Sequence, residues 1–206
     1  SPPLVGLEQR AELIGFNAMH GAALGAEARL KGAGVLLAPT VNLHRTALNG
    51  RNFECYSEDP WLTGSIGVGY IRGVQSQGVA ATIKHFVGNE SEIERQTMSS
   101  DIDERTLREI YLPPFEAAVK RAGVWAIMSS YNRLNGVWTS ENHWLLTELL
   151  REEWGYDGIV MSDWFGSHTT EATVTGGLDL EMPGPTRDRG EKLVAAVREG
   201  RVPAET

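Results

Sequence analysis

The chain has 206 residues, 41% hydrophobic and 22% charged, a composition that excludes a disordered polymer and suits a globular protein with a sizeable core. Asp and Glu outnumber Lys and Arg by 27 to 19, a formal charge of −8, which argues against a nucleic-acid or anionic-membrane surface and favours a neutral or cationic small ligand. The one cysteine, Cys55, cannot close an internal disulfide, and no apolar run approaches the roughly 20 residues of a membrane span.

The chain opens on Ser1 rather than Met, so a processed protein or a piece of a longer one is expected. Residues 7–30 carry apolar and small side chains at helical spacing (Leu13, Phe16, Asn17, His20, Leu24, Ala28), and Lys31-Gly32 supplies a basic last turn and a stop. Residues 35–38 read as a short buried strand that turns at Pro39-Thr40 into a long loop holding Asn49 to Glu54. Asp59-Pro60 is a helix start, with Asp59 as N-cap and Pro60 at the first helical position, where its missing N–H costs nothing.

Residues 79–83 form the next expected strand, ending in Lys84-His85. A polar loop, residues 89–101, precedes a helix over 103–121 that Pro113-Pro114 must kink. A strand at 124–128 runs into Ser129-Ser130-Tyr131-Asn132. A loop with Asn135-Gly136 leads to a helix at 142–154, and residues 159–161 form a strand that stops at Ser162-Asp163-Trp164. A helix over 168–175, a short strand at 178–182 and a basic-ended helix over 187–200 complete the pattern.

About five apolar strands alternating with helices predict an α/β fold with a parallel sheet. Polar clusters at nearly every strand end favour a partial (β/α)8 TIM-type barrel over a doubly wound sheet, because a barrel draws its site from several strand ends. A full barrel needs eight strands and about 250 residues, so residues 1–206 are expected to form one domain that is a fragment of such a barrel.

Asp163 is the central candidate. Aspartate after a strand is commonly a cap or turn former, but its company suggests chemistry. Arg51, Lys84, His85, Arg95 and Tyr131 offer donors and Trp164 offers a flat apolar face, the combination a sugar needs for its hydroxyls and its C–H faces. Each has a plainer alternative: Arg51 is spaced to pair with Glu54, Arg95 to bridge Glu92 or Glu94, and Met128 and Tyr131 suit core and rim packing.

The ordered set Gly50-Arg51-Asn52-Phe53-Glu54, Ser57-Glu58-Asp59-Pro60, Lys84-His85-Phe86 with Asn89-Glu90, Met128-Ser129-Ser130-Tyr131-Asn132, and Trp154-Gly155-Tyr156-Asp157-Gly158 through Ser162-Asp163-Trp164 resembles glycoside hydrolase family three, in particular its β-glucosidase branch. The resemblance implies a retaining exo-β-glycosidase that removes the terminal non-reducing sugar of a β-linked oligosaccharide or β-glucoside, with no cofactor and no metal. Asp163 would be its nucleophile. It further implies that Arg51, Lys84, His85 and Arg95 bind the hydroxyls of that sugar, that Tyr131 lies near the nucleophile, that Met128 lines the pocket and that Trp164 walls it. Retaining enzymes place a second carboxyl group about 5–5.5 Å from the nucleophile. The resemblance puts that acid/base in a following domain, not at Glu181, and so implies that these residues alone turn over little or no substrate.

Alternatives stand beside it. A β-xylosidase or a β-N-acetylglucosaminidase of the same family is one, although Lys84-His85-Phe86-Val87-Gly88-Asn89 lacks the second histidine that the latter branch carries. A Schiff-base lyase using Lys84 is another. Metal hydrolysis is disfavoured, since His85, Glu90, Glu92 and Glu94 have no compact ligand spacing. The residues do not distinguish gluco-, xylo- and galacto-configured sugars, and they leave compartment and oligomeric state open.

Overall fold

The computed structural model describes residues 5–205, with side chains from residue 11 onward. Ser1, on which the expectation of a longer chain rests, lies outside the described residues. The chain forms two compact units: residues 1–84 with 104–126, and residues 85–103 with 127–206.

In the first unit, helix α1 (Val5–Leu30) packs on helix α2 (Pro60–Gln75). The face that α1 buries is made of small residues, Gly21, Gly25 and Ala28, while Phe16 and His20 of the expected apolar face are exposed. The reason is backbone proximity. A Cβ on Gly21 would collide with the Tyr70 carbonyl oxygen, one on Gly69 with the Ile14 carbonyl and one on Gly73 with the Ala18 carbonyl. Helix α2 begins as its sequence dictates: Asp59 Oδ1 accepts from the backbone N–H groups of Trp61 at 2.8 Å and Leu62 at 3.2 Å, with Pro60 opening the first turn.

Strand β1 (Val35–Leu36) pairs in parallel with β2 (Ala80–Phe86) in the register Val35 to Ala80, and the pairing continues as a bridge between Thr40 and Lys84. The expected helix over 103–121 is observed in four segments: α3 (Glu104–Thr106), a wide turn at Leu107–Tyr111, α4 (Pro113–Ala117) and a second wide turn at Ala118–Ala122. Proline lacks the N–H that would continue the ladder, which is why the break falls at Leu112-Pro113. Gly123, with φ 57°, ends the run.

In the second unit, β3 (Ser99–Ser100), β5 (Arg133–Leu134) and β6 (Val137–Trp138) make a small sheet in which β3 pairs with β5 in parallel and β5 with β6 antiparallel. Asn135 and Gly136 both have positive φ, 50° and 87°, so the stretch expected as a loop is a two-residue hairpin turn. Strand β4 (Ala126–Ser129) precedes β5 in the chain, and an i→i+5 wound helix (Trp144–Glu153), β7 (Ile159–Met161), α5 (Glu171–Gly176) and α6 (Glu191–Arg198) follow β6.

The main sheet has the order β1-β2-β4-β7, and Leu180 adds a parallel bridge to Met161, supplying the fifth expected strand as a single contact. This is the anticipated α/β fold with a parallel sheet. Among the described residues the sheet does not close into a barrel.

Candidate active site

Asp163 is placed by the way β7 is anchored. The Tyr156 hydroxyl donates to the Ile159 carbonyl at 2.9 Å, and burial pushes this phenol's pKa up, keeping it a neutral donor. Asp179 Oδ2 accepts from the Val160 backbone N–H at 2.6 Å and from Arg151 Nη2 at 2.6 Å. The ladder continues outward, with Ser162 N–H donating to the Leu180 carbonyl at 2.9 Å and Met182 N–H donating to Ser162 Oγ at 2.9 Å. β7 therefore delivers a carboxylate at the C-terminal end of a strand whose Val160 and Ser162 N–H groups are both bonded.

Asp163 itself is 7% exposed. Its Oδ1 accepts from the Trp164 backbone N–H at 2.7 Å, and the Gly166 N–H donates to its carbonyl at 2.9 Å, closing a tight turn. This bond reaches the next residue, not the second or third N–H of a helix, so the N-cap alternative does not describe Asp163. His85, 2% exposed at the end of β2, brings its Nε2 to 3.6 Å from Asp163 Oδ2. A buried carboxylate beside an imidazole lies in a low-dielectric setting, and such settings magnify any interaction with a reacting group.

Met128, on β4, is 2% exposed and Tyr131 is 7% exposed. The Arg95 guanidinium lies 4.8 Å over the Tyr131 ring while Nη1 donates to Glu92 Oε2 at 3.0 Å. The pairing weighed against a ligand role for Arg95 is thus formed, and it also aims the guanidinium at an aromatic face. Trp164 is half-buried.

Arg51 and Lys84 belong to the first unit and meet at Glu54. Arg51 Nε donates to Glu54 Oε1 at 2.6 Å, and Thr40 Oγ1 donates to Glu54 Oε2 at 2.7 Å. Burial pushes the Glu54 carboxyl up, but the bonds from Arg51 and Thr40 and the charges of Arg51 and Lys84 outweigh it and hold the group below its ordinary range. The alternative role for Arg51, holding its own loop, is formed here.

Glu181 is 5% exposed. Oε1 accepts from the backbone N–H groups of Arg187 at 2.9 Å and Asp188 at 3.0 Å, and Oε2 from Asp188 at 3.2 Å and Arg189 at 3.0 Å. A carboxylate engaged on both oxygens by backbone N–H groups organises a loop. The sequence contains no local signal for what this loop then does: the Arg187 guanidinium donates to the carbonyls of Ser167 and Phe165, across some twenty residues. A second arrangement that the sequence does not announce is a stack of Arg133 over Trp138, 4.1 Å, and Trp138 on His168, 3.9 Å between ring centroids at 17°.

Among the described residues no group of three or more His, Cys, Asp or Glu side chains is arranged to hold a metal ion. None of the helices described is long and apolar enough to cross a membrane.

The family described as the glycosyl hydrolase family 3 N terminal domain matches the chain over residues 1–206. A β-glucosidase of Rhizobium radiobacter is 79% identical over 186 residues, covering 90% of this chain and 23% of that protein. An exo-α-(1→6)-L-arabinopyranosidase of Bifidobacterium breve is 47% identical over 205 residues, covering 98% of this chain and 26% of that protein. The structure of β-glucosidase 3B from Thermotoga neapolitana in complex with α-D-glucose superposes with a TM-score of 0.90 at 47% identity, covering 93% of this chain and 28% of that one. The chain therefore spans about a quarter of the length of the proteins it matches, and it belongs to glycosyl hydrolase family 3 as an N-terminal domain sequence.

Proposed function

We propose that this chain is the nucleophile-bearing part of a retaining exo-β-glucosidase and that Asp163 is the nucleophile. The observation that carries the reading is Asp163 itself: a carboxylate 7% exposed, at the C-terminal end of a sheet strand, with His85 Nε2 at 3.6 Å. Ligands bind at that end of parallel strands.

In this reading the Asp163 carboxylate attacks the anomeric carbon, a C–O bond to the enzyme forms and the glycosidic C–O bond breaks, while the leaving oxygen takes a proton from a second carboxylic acid. That group, now a carboxylate, removes a proton from water. The water attacks the same carbon, and the sugar leaves with its configuration retained and Asp163 restored. The engagement of both Glu181 oxygens supports assigning the proton donor elsewhere, beyond these 206 residues. His85 and Arg95, and from the resemblance Arg51 and Lys84, are assigned to the sugar hydroxyls, where bonds that tighten in the transition state lower the barrier. Tyr131 and Met128 are assigned to the pocket lining and Trp164 to its wall.

The relative named an arabinopyranosidase carries a second reading of the same chemistry on a different glycone, which these residues alone admit.

The test is incubation of the full-length protein with 2-deoxy-2-fluoro-β-glucosyl fluoride, followed by mass spectrometry of its peptides. The added sugar mass is expected on the peptide carrying Asp163. A label on another carboxylate, or turnover with inversion, would overturn the assignment. Release of the aryl group from an aryl β-glucoside by residues 1–206 alone, at the rate of the full-length protein, would overturn the placement of the acid.

A further inference from the structure

We infer that the hairpin over residues 130–140 sets the gap between His85 and Asp163, which makes Thr139 and Ser140 positioning residues for the reaction, an inference that rests on Asp163 being the nucleophile. Each acts through the backbone that carries one side of the gap.

The main sheet by itself leaves this gap loose. His85 lies on β2 and Asp163 follows β7, and the strand order β1-β2-β4-β7 puts β4 between them. Neighbouring strands lie about 4.8 Å apart, so two strands with a third between them are roughly 10 Å apart. The 3.6 Å from His85 Nε2 to Asp163 Oδ2 is therefore made by side chains that reach toward each other across β4. Holding it requires that the backbone beyond both strands be held as well.

One leg of the hairpin holds the end of β2. The Ser130 N–H donates to the Phe86 carbonyl at 2.8 Å, and Asn132 Nδ2 donates to the Val87 carbonyl at 3.1 Å, with Ser130 Oγ at the same distance from that oxygen. Asn132 Nδ2 also donates to Ser100 Oγ at 3.3 Å, which in turn donates to the Gly88 carbonyl at 2.6 Å. The other leg holds the turn after β7. Ser140 Oγ donates to the Gly166 carbonyl at 2.7 Å, and the Gly166 N–H donates to the Asp163 carbonyl at 2.9 Å.

The two legs are tied to each other. Thr139 Oγ1 donates to the Ser130 carbonyl at 2.6 Å and lies 3.0 Å from Ser130 Oγ, while the Thr139 N–H donates to the Asn132 carbonyl at 3.3 Å. Ser130, Asn132, Thr139 and Ser140 are all 1% exposed or less. Bonds at that depth are stronger than in water, and one that is lost is not replaced by solvent. A continuous series of buried bonds thus runs from the residues after His85, through one hairpin, to the turn that bears Asp163.

Buried hydroxyls also serve stability alone, and coupling to His85 tells the two roles apart. The experiment is a double-mutant cycle on the full-length protein, with Ser140→Ala made in the wild-type and His85→Asn backgrounds and kcat/KM for an aryl β-glucoside read well below the melting temperature. In the wild type Ser140→Ala is expected to lower kcat/KM about tenfold, the cost of a misplacement of roughly half an ångström. In the His85→Asn background it is expected to cost less than about threefold, because the separation it sets has lost one of its ends. Thr139→Val keeps the shape of the side chain and unties the legs; it is expected to show the same coupling, and it decides the matter should Ser140→Ala fail to fold. Thr173→Val removes a hydroxyl equally buried in the same unit, bonded to the Thr169 and Thr170 carbonyls at 2.7 and 3.0 Å, and is expected to keep kcat/KM within about twofold of wild type. Equal losses in both backgrounds would overturn the positioning role, as would undiminished activity in Ser140→Ala and Thr139→Val or a loss in Thr173→Val as large as theirs. The fluorosugar label separates the two levels: a labelled Asp163 without coupling removes the positioning role alone, whereas no label on Asp163 removes the reading beneath it.

Discussion

Glu181 receives the backbone N–H of Asp188 in both of its carboxylate oxygens, at 3.0 and 3.2 Å, with Arg187 and Arg189 bonded on either side. Three successive amides converging on one buried carboxylate make it the fixed point of the 183–189 loop. The same loop carries Arg187 to the carbonyls of Phe165 and Ser167. Glu181 is thus a positioning residue for the turn that bears Asp163.

Glu181→Gln replaces an acceptor oxygen by an amide donor that faces backbone N–H groups. The expected loss of stability is about 1–3 kcal/mol, the cost of leaving buried donors unsatisfied, measured by urea unfolding of the full-length protein. The positioning role has its own readout. An acid/base variant retains activity on a 2,4-dinitrophenyl glycoside, whose leaving group needs no proton, whereas Glu181→Gln is expected to lose activity equally on that substrate and on a phenyl glycoside. Selective sparing of the dinitrophenyl substrate would make Glu181 the acid instead.

His85→Asn removes the imidazole 3.6 Å from Asp163 while keeping a polar side chain at the end of β2. A bond to a charged or charge-developing group is worth about 1.5–3 kcal/mol, so kcat/KM for a β-glucoside is expected to fall roughly 10- to 150-fold. The fluorosugar label should still appear on Asp163, more slowly. Unchanged kcat/KM would reduce His85 to a core residue.

In the first unit the contact between α1 and α2 is set by absent side chains. A Cβ on Gly73 would collide with the backbone of Ala18, whereas one on Gly15 meets nothing within 4 Å. Gly73→Ala is therefore expected to destabilise by about 1–3 kcal/mol through overpacking, and Gly15→Ala to stabilise by about 0.5–1 kcal/mol through the helix preference of alanine. Paired thermal melts check both signs. A neutral Gly73→Ala would mean that the two helices separate at no cost.

What the sequence made legible is what short-range chemistry encodes. Asp59-Pro60 specifies its own cap geometry, and a carboxylate ending the apolar run at Ile159–Met161 announces Asp163. Asn135-Gly136 encodes a hairpin, but strands of two residues leave no alternating pattern to flank it, so it reads as a loop. The α1 contact face is missed for a physical reason: periodicity finds large apolar residues, and here the helices approach through Gly21 and Gly25 while Phe16 is exposed. The clamp from Arg187 to Ser167 joins residues twenty apart in a loop, where no period connects them.

The stack of Arg133, Trp138 and His168 gives a pH dependence whose sign is fixed. Burial lowers the pKa of His168 below 6.5, the charges of Arg187 and Arg133 lower it further, and Asp188 opposes them in part. The unfolded chain titrates this histidine near its ordinary value, so as pH falls through about 6.5 the unfolded state takes up a proton that the folded state resists. The contribution of His168 to stability is therefore complete above that pH and is lost as the solution is acidified toward the folded-state value. His168→Gln cannot titrate and can still lie against Trp138. Its melting temperature is expected to fall less than that of wild type as the solution is acidified from pH 7 through about 6.5 and below. Comparing the two slopes isolates this residue from the other histidines, because those are common to both proteins. Identical slopes would mean that His168 meets the same environment folded and unfolded, which its ring centroid 3.9 Å from that of Trp138 contradicts.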